Sequence, residues 1–323
     1  MSSAVEDTNH SLSDSINIAT QSVHANLNKL VLSRLRLAIP PVADDASQYV
    51  SGLIHIAPIY ITLESLWKAI LESPQPSANH GRIRPLLASL HCEGLMRSEA
   101  LQNDLKCLTG WSDRTLAEQL NDASETPVLS NFLDHIQTTV EESPHVLLAY
   151  AWVLYMALFS GGRFVRASLE EICPAFWVPF SGQHPRPATL ASTSSIVTQP
   201  LSFFRFDTPE DGEDLKQGFK ERLVEFEDVL TGAEYDEIIR EARCIFDYMI
   251  QLVDELDGIC GTDMEHAEAR LLSLRSRDSV VVEKERRQQF VRTLRKTISE
   301  ASSGSSRGGE GRSRCRSRGR WHC

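Results

Sequence analysis

The sequence has few of the short motifs that mark common enzyme classes. It contains no P-loop, no HExxH and no cysteine–histidine cluster at zinc spacing, and its GxSxG match, at 304–308, lies in low-complexity sequence, so clear hydrolase and nucleotide-binding signals are missing. Carboxylate pairs are plentiful, but they lie in charged helical segments, where a solvated face explains them. Alternating strand patterns are absent, as are internal repeats with a period of about 20–50 residues. We therefore expect an all-α fold, a helical bundle.

The sequence also lacks the features of a secreted or membrane-spanning protein. Its seven cysteines are irregularly spaced without a CxxC pair, which favours reduced thiols in a cytoplasmic or nuclear protein. The N-terminus has no apolar core of a signal peptide. The longest apolar run, 146–159, is shorter than the about 20 residues that a bilayer-spanning helix needs, so we expect a buried core helix and no transmembrane span. The leading expectation is a cytoplasmic protein, with a nuclear or peripheral membrane location left open.

Charge and composition divide the 323 residues into four parts. Residues 1–12 are polar and predicted to be disordered, and 13–258 form the helical domain. Inside it, the Pro/Ser/Thr-rich stretch 171–201 is predicted to be a long loop or an insertion. Residues 259–300 predict a charged helical extension, and 301–323, with six arginines and one glutamate, predict a basic disordered tail. The net charge is −11, so the body is acidic, and the tail is either a contact for anionic lipid or nucleic acid or a plain disordered, phosphorylatable extension.

Apolar residues at steps of three and four predict the helices of the domain. The first begins near Asp14 with Ser13 as N-cap, and a later one follows a cap at Ser112 or Asp113. A kink is expected at Pro58 inside the second. The predicted helical segments run from Asp14 to the IPPV at 39–42, over 47–73, over about 82–107, after 110–113, after Pro127, over about 145–171, from Glu213 to Leu230 and from Ala233 to Leu256.

Two isolated features of the helical pattern are candidates for function. His24 borders the apolar stripe of the first helix, as either a hydrogen-bonded core residue or a ligand for a metal or cofactor. Gly161 and Gly162 interrupt an apolar helix, where a pair costs about 2 kcal/mol relative to alanine. They allow close helix packing, end the helix, or thin the backbone so that it lies against a flat ligand.

A third candidate is a group of cations on the helix after Glu213. Lys216 and Lys220 are four residues apart and share one helix face, with Arg222 nearby. Acidic residues interleave with them, so the face is either an ordinary solvated surface or a cationic rim for a ligand that carries carboxylates.

Taken in order along the chain, four segments resemble the heme oxygenase family. They cover about residues 13–256 and are ATQSVH at 19–24, IYITLE at 59–64, PHVLLAYAWVLYMALFSGG at 144–162, and FFRFDTPEDGEDLKQGFKERLVEFEDV at 203–229 with IIREARCIFDYMIQLVDEL at 238–256. The resemblance implies a heme oxygenase-like helical bundle in which heme lies between a proximal helix and a kinked distal helix.

The same resemblance assigns roles to individual residues. His24 matches the proximal histidine that ligates the iron. The residues assigned to heme binding are His24, Tyr155, Lys216, Lys220, Arg222 and Phe246. The residues assigned to the catalytic, distal side are Ala157, Leu158, Gly161 and Gly162. Leu158 replaces the family's aspartate, which holds distal water for proton delivery, and Ala157 replaces the first distal glycine.

The function implied is that of a heme oxygenase. Such an enzyme binds heme as substrate and cofactor and opens it oxidatively to biliverdin, carbon monoxide and ferrous iron, with electrons from an NADPH-dependent reductase or another donor. Two alternatives remain open: a heme carrier or sensor of the same fold, favoured by the missing aspartate, and a helical interaction scaffold that binds no heme.

Overall fold

The computed structural model describes residues 10–74, 78–179 and 199–262. Within these residues the chain consists of helices and short connecting turns, and no strand occurs. The all-α prediction is therefore confirmed for these residues. The helices are α1 (Leu12–Leu35), α2 (Ser47–Glu72), α3 (Ala78–Leu90), α4 (Ser98–Thr109), α5 (Asp113–Ser124), α6 (Pro127–Glu142), α7 (Leu147–Ala157), α8 (Arg163–Glu170), α9 (Glu213–Glu227) and α10 (Gly232–Cys260). A π-helical turn, Leu158–Gly162, joins α7 to α8, and short 3-10 turns lie at Pro144–Val146, Pro174–Trp177 and Ser202–Phe204.

Two apolar segments form the centre of the bundle. Ser47–Glu72 and Pro144–Glu170 are long and apolar enough to span a membrane by length and composition, but 61% and 72% of their most apolar windows are buried inside the bundle. A helix that is apolar on all sides is typical of a protein core as well as of a membrane span. The expectation of a buried core helix around 146–159 agrees with this burial.

The start of α1 differs from the prediction by two residues. The helix begins at Leu12, and Ser11 is the N-cap, because its hydroxyl accepts a hydrogen bond from the backbone N–H of Asp14 at 3.1 Å. Leu12 is fully buried, and its N–H donates to Glu227 on α9 at 2.8 Å. A tertiary contact therefore fixes the helix start, and Ser13 is not the cap.

The single helix predicted over about 82–107 is also wrong, because two helices occupy this region. The chain leaves α3 after Leu90, turns through Gly94 at a φ of 79°, and re-enters a helix at Ser98. Glu64 on α2 accepts hydrogen bonds from the backbone N–H groups of Arg97 and Ser98 at 2.6 and 3.1 Å, which satisfies the first free donors of α4. The predicted cap at Ser112 is confirmed, since its hydroxyl accepts from the N–H of Thr115 at 3.2 Å.

Several predicted segments extend beyond the described residues. In the long loop predicted over 171–201, the described ends include the turn Pro174–Trp177, where Trp177 is buried and its ring lies 5.5 Å from that of Tyr49. Helix α10 continues to Cys260, past the predicted end of the domain. The charged extension predicted over 259–300 lies almost wholly outside the described residues, and the basic tail and residues 1–9 lie outside them entirely.

Polar bonds at both ends of α1 hold it along α10. Arg34 forms an ion pair with Asp257, with a shortest distance of 2.6 Å, and Arg243 donates from Nε to the backbone carbonyl of Ala19 at 2.9 Å. Near the start of α1, the Tyr235 hydroxyl bonds Ser15 at 2.7 Å. These contacts fix which face of α1 packs on α10. His24 lies on α1 between the contacts at Ala19 and Arg34, so they also fix its position.

Candidate functional site

The distal segment is a helix interrupted by one π-turn at its two glycines. Leu158–Gly162 adopts π-helical geometry between α7 and α8, and the helical path continues to Glu170. Glycine lowers the cost of leaving regular α-geometry, and π-turns are a common cause of helix kinks and often mark functional sites. The glycine pair therefore does not end the helix, and that interpretation of the sequence is wrong.

The two glycines have different surroundings. A Cβ added at Gly162 would lie 3.3 Å from Phe204 and 3.4 Å from Leu158, so this glycine allows close packing in the interior. A Cβ added at Gly161 would meet no atom within 4 Å outside its own turn, and the residue is exposed. One glycine thus serves packing, and the other leaves bare backbone on an open face.

Exposed apolar residues flank that bare backbone along the helix. Ala157 and Phe164 stand four and three residues from Gly161, and both are exposed. Phe164 keeps 64% of its surface accessible. We refer to Ala157, Ser160, Gly161 and Phe164 as the distal face.

His24 lies on the exposed side of α1, next to α10. Its ring meets the buried ring of Phe246 edge-on, with centroids 5.5 Å apart and planes inclined at 64°. Its Nε2 lies 3.1 Å from the amide nitrogen of Asn28, one turn further along α1. His24 forms no ion pair with any acid in the described part of the chain, and its exposure does not fit the core-residue interpretation.

A small apolar cluster links the proximal and distal helices beneath His24. Leu27, Phe246 and Val253 form its buried centre, against which Val23 of α1 and Val153 of α7 pack. At the same end, the indole N–H of Trp152 on α7 donates to Asn17 on α1 at 3.4 Å. Helices α1 and α7 therefore meet at this end.

Further along, a cavity lies between the proximal and distal elements. It has a volume of about 250 Å³. Its walls are almost entirely apolar and come from α1, α2, α8 and α10. Val31 and Val165 line it from α1 and α8, and Gly52, on α2, has no atom within 4 Å of an added Cβ. Helix α1, which carries His24, thus contacts α7 at one end of the distal segment. At the other end an apolar cavity lies between α1 and α8.

Cations lie at the start of α9 and α8. Lys216 and Arg163 bind the two carboxylate oxygens of Glu213, at 3.1 and 3.0 Å. The hydrogen bond from Lys216 lowers the pKa of Glu213. Lys220, one turn further, is exposed and forms no hydrogen bond or ion pair within the described residues. The structure therefore joins Lys216 to Arg163, a residue that the sequence prediction omitted, and leaves Lys220 open to solvent.

The sequence model of the heme oxygenase family matches residues 10–255, most of the chain. This chain belongs to the heme oxygenase family. Among its relatives is the heme-binding protein HMX1 of Saccharomyces cerevisiae, 26% identical over 251 residues, which cover 76% of this chain and 75% of HMX1. Heme oxygenase 2 of Oryctolagus cuniculus is 23% identical over 193 residues, covering 59% of this chain and 52% of the rabbit protein. The chain thus spans about half the length of this mammalian relative.

Solved structures of heme oxygenases share the fold. Heme oxygenase 2 from Chlamydomonas reinhardtii without heme superposes with a TM-score of 0.57 at 19% identity, covering 76% of this chain and 97% of that one. Heme oxygenase-2 from Synechocystis in complex with heme and NO gives a TM-score of 0.56 at 16% identity, covering 80% and 91%. The prediction of a heme oxygenase-like helical bundle is confirmed.

Within this family fold, two predicted heme contacts point elsewhere. Tyr155 is fully buried, and its hydroxyl donates to Glu64 at 3.1 Å, inside the network that caps α4. Burial raises the pKa of Tyr155 well above its ordinary value. The Arg222 guanidinium lies 2.7 Å from the sulfur of Cys92, before α4. Neither residue lines the cavity, and each side chain is held by the partner just named.

The family's distal aspartate position is apolar in this chain, both in sequence and in structure. Leu158 is only 5% exposed and packs against Gly162. Ser160, by contrast, is exposed and carries the only hydroxyl of the distal face as defined above. The sequence prediction did not assign Ser160 or Arg163, although their signal was present: they flank the glycine pair on either side.

Proposed function

We propose that this protein binds heme between α1 and the distal face and opens it oxidatively to biliverdin, carbon monoxide and ferrous iron. The observation that carries the proposal is the apolar cavity between α1, the helix of the exposed His24, and α8, the helix that follows the bare backbone of Gly161. Membership of the heme oxygenase family and the relative named as heme-binding support it.

The residues present fit a heme. A porphyrin is broad, flat and apolar with two carboxylates at one edge, so it needs an apolar slot, an axial ligand and a cationic edge. The cavity of about 250 Å³ is smaller than the roughly 300–1,000 Å³ of typical ligand pockets. A heme would therefore need room beyond this cavity, and the open side of Gly161, where an added Cβ meets nothing within 4 Å, would offer further space.

On the proximal side, His24 holds the iron through a ring nitrogen. The nearby Asn28 amide and the edge of Phe246 restrict the orientations of the imidazole. Bound heme supplies the redox-active iron and is itself the substrate. Lys220 offers a free ammonium for a propionate, and Lys216 offers a second one if it exchanges Glu213 for the ligand.

On the distal side, Gly161 lets the helix backbone approach the porphyrin face. Because Leu158 holds no proton and accepts no hydrogen bond, proton delivery has to use water. The groups that would hold this water are the exposed Ser160 hydroxyl and backbone carbonyls near Ala157, where the π-turn departs from the regular α-helical hydrogen-bond pattern. Electrons come from an NADPH-dependent reductase or another donor.

A second function, heme binding without ring opening, is favoured by one specific observation. Position 158 is a buried leucine and position 157 is an alanine, so this distal segment contains no carboxylate. A carrier or sensor needs the same axial ligand and slot but no proton relay.

Hemin titration of the full-length protein tests the proposal. We expect a Soret band that saturates at one heme per chain in the wild type and shifts or weakens in His24→Ala. Asn26→Ala, an exposed change on the same helix, is the matched control and should bind as the wild type does. If the Soret band is the same in His24→Ala as in the wild type, the axial ligand is wrong.

Turnover then separates the two candidate functions. With a reductase and NADPH, loss of the Soret band together with growth of biliverdin absorption supports the oxygenase. A Soret band that persists through many equivalents of NADPH supports the carrier instead.

A further inference from the structure

Three metal-ligating side chains meet between α6 and α10, on a different face of α10 from the one that carries Phe246. His135 comes from α6, and Glu241 and Cys244 stand three residues apart on α10. The ring Nε2 of His135 lies 2.9 Å from Glu241 Oε1 and 3.5 Å from Cys244 Sγ. One ligand atom from each residue lies within 4.8 Å of the other two.

These spacings fit a tetrahedral zinc-type ion. With zinc bonds of about 2.0–2.2 Å to nitrogen and oxygen and about 2.3 Å to sulfur, the edges of the tetrahedron are roughly 3.4 Å from N to O and 3.6 Å from N to S. The observed N-to-S distance of 3.5 Å already matches, and the N-to-O distance of 2.9 Å would have to lengthen only slightly. Nitrogen, sulfur and carboxylate donors together suit zinc and similar transition metals, whereas calcium and magnesium prefer oxygen alone.

Without a cation, Glu241 and Cys244 compete for one nitrogen, Nε2 of His135. A neutral imidazole nitrogen carries either one proton or one lone pair, so Nε2 cannot bond both Glu241 and Cys244 well. The hydroxyl of Thr139, 3.5 Å away, competes for the same nitrogen. A metal ion bonded to all three ligands removes the conflict at Nε2.

Neighbouring residues hold one of the three ligands by a hydrogen bond, and a pocket gives solvent access to another. Glu241 is buried, and Tyr150 donates its hydroxyl to the same carboxylate oxygen at 2.5 Å. Ligating carboxylates are usually held by such hydrogen bonds. On the other side, His135 lines a polar pocket of about 480 Å³ between α6 and α10, which gives room for a water ligand and an entry path.

We propose that His135, Glu241 and Cys244 bind a zinc-type divalent cation, with water from the adjoining pocket as the fourth ligand. The site does not depend on heme, because it involves neither His24 nor the distal face. Titrating Co²⁺ into the heme-free full-length protein tests it, since a bound thiolate gives cobalt a sulfur-to-metal charge-transfer absorption. Cys315 and Cys323 are replaced by serine throughout, because they offer further thiols.

In this background we expect one cobalt per chain with a charge-transfer band that one equivalent of Zn²⁺ abolishes. Cys244→Ser should lose the band, and Cys107→Ser, which removes an exposed thiol, should keep it. Tyr150→Phe should retain the band but weaken the affinity about 10–100-fold, the usual effect of losing an outer-shell partner. Far-ultraviolet circular dichroism checks that each variant is folded.

Two results would overturn the proposal: a wild-type cobalt spectrum without the thiolate band, or a band that survives in folded Cys244→Ser. A second readout uses thermal unfolding, in which Zn²⁺ raises the Tm of the wild type but leaves that of Cys244→Ser unchanged. Hemin binding by Cys244→Ser should equal that of the wild type, so the outcome here is independent of the proposed heme function.

Discussion

Replacing Gly161 by alanine should stabilise the protein and weaken heme binding at the same time. The added methyl meets no atom within 4 Å, and this glycine does not occupy the left-handed region, so alanine is tolerated. Alanine is favoured over glycine in a helix by about 1 kcal/mol, because it restricts the unfolded chain. For a domain of this size, we expect a rise in Tm of about 2–4 °C.

The same methyl occupies the space that the heme face needs. Overpacking a close contact by one methyl costs about 1–3 kcal/mol. That cost corresponds to a loss of roughly 5–150-fold in heme affinity. Opposite signs for the two effects would follow from the proposed role of Gly161 as a ligand contact, which the fold itself does not require.

Two glycine controls make the prediction specific. Gly258→Ala on α10, also exposed with nothing within 4 Å of its added Cβ, should raise Tm without changing heme affinity. Gly162→Ala should raise Tm less or lower it, because Phe204 at 3.3 Å has to move. Tm is measured by circular dichroism on heme-free protein, and affinity by hemin titration. Unchanged heme affinity in Gly161→Ala, or a fall in its Tm, would refute the reasoning.

Three further predictions concern the proposed cationic rim at Lys220, the pH dependence of stability from the Arg166–Asp211 pair, and the buried hydrogen bond between Tyr155 and Glu64. Lys220→Glu should lower heme affinity, most strongly at low salt, because an anion replaces a free ammonium; equal affinity at every ionic strength would exclude Lys220 from the rim. The hydrogen bond from Arg166 lowers the pKa of Asp211, so the pair stabilises the fold above the carboxyl's ordinary value of 3.8, and this contribution is lost as pH falls through the lowered value. Urea unfolding should show Asp211→Asn less stable than wild type at pH 7 and nearly equal in strong acid; a constant difference would contradict the assignment. Tyr155→Phe removes one donor from buried Glu64 and should cost about 1–3 kcal/mol in urea unfolding, with little change in hemin binding.

The helical class was predictable from the sequence because local patterns carry it. Apolar steps of three and four located most helices, and the serine before Asp113 identified a true cap. The break between α3 and α4 was not predictable, because it depends on Glu64, whose carboxylate reaches Arg97 from 33 residues earlier in the chain. A distant partner likewise moved the start of α1 to Leu12.

The candidate site was predictable only in outline for the same reason. The sequence singled out the glycine pair but did not separate packing from ligand approach, because the difference lies in Phe204, which contacts Gly162 and not Gly161. The cluster of His135 with Glu241 left no spacing signal, since 106 residues separate them. Tertiary contacts decide which of several candidate residues share a surface.

The replacement at position 158 reshapes the distal segment on one side only. Leu158 turns inward and packs on Gly162, which in turn packs on Phe204, so the interior side of the π-turn is apolar and closed. Bare backbone at Gly161 and the Ser160 hydroxyl remain on the outer side. In the proposed function, heme binding would use that outer side and His24, whereas ring opening would also need a proton source there. The fold is therefore compatible with both candidate functions, and the choice between them rests on whether Ser160 and the π-turn carbonyls hold water close enough to deliver a proton.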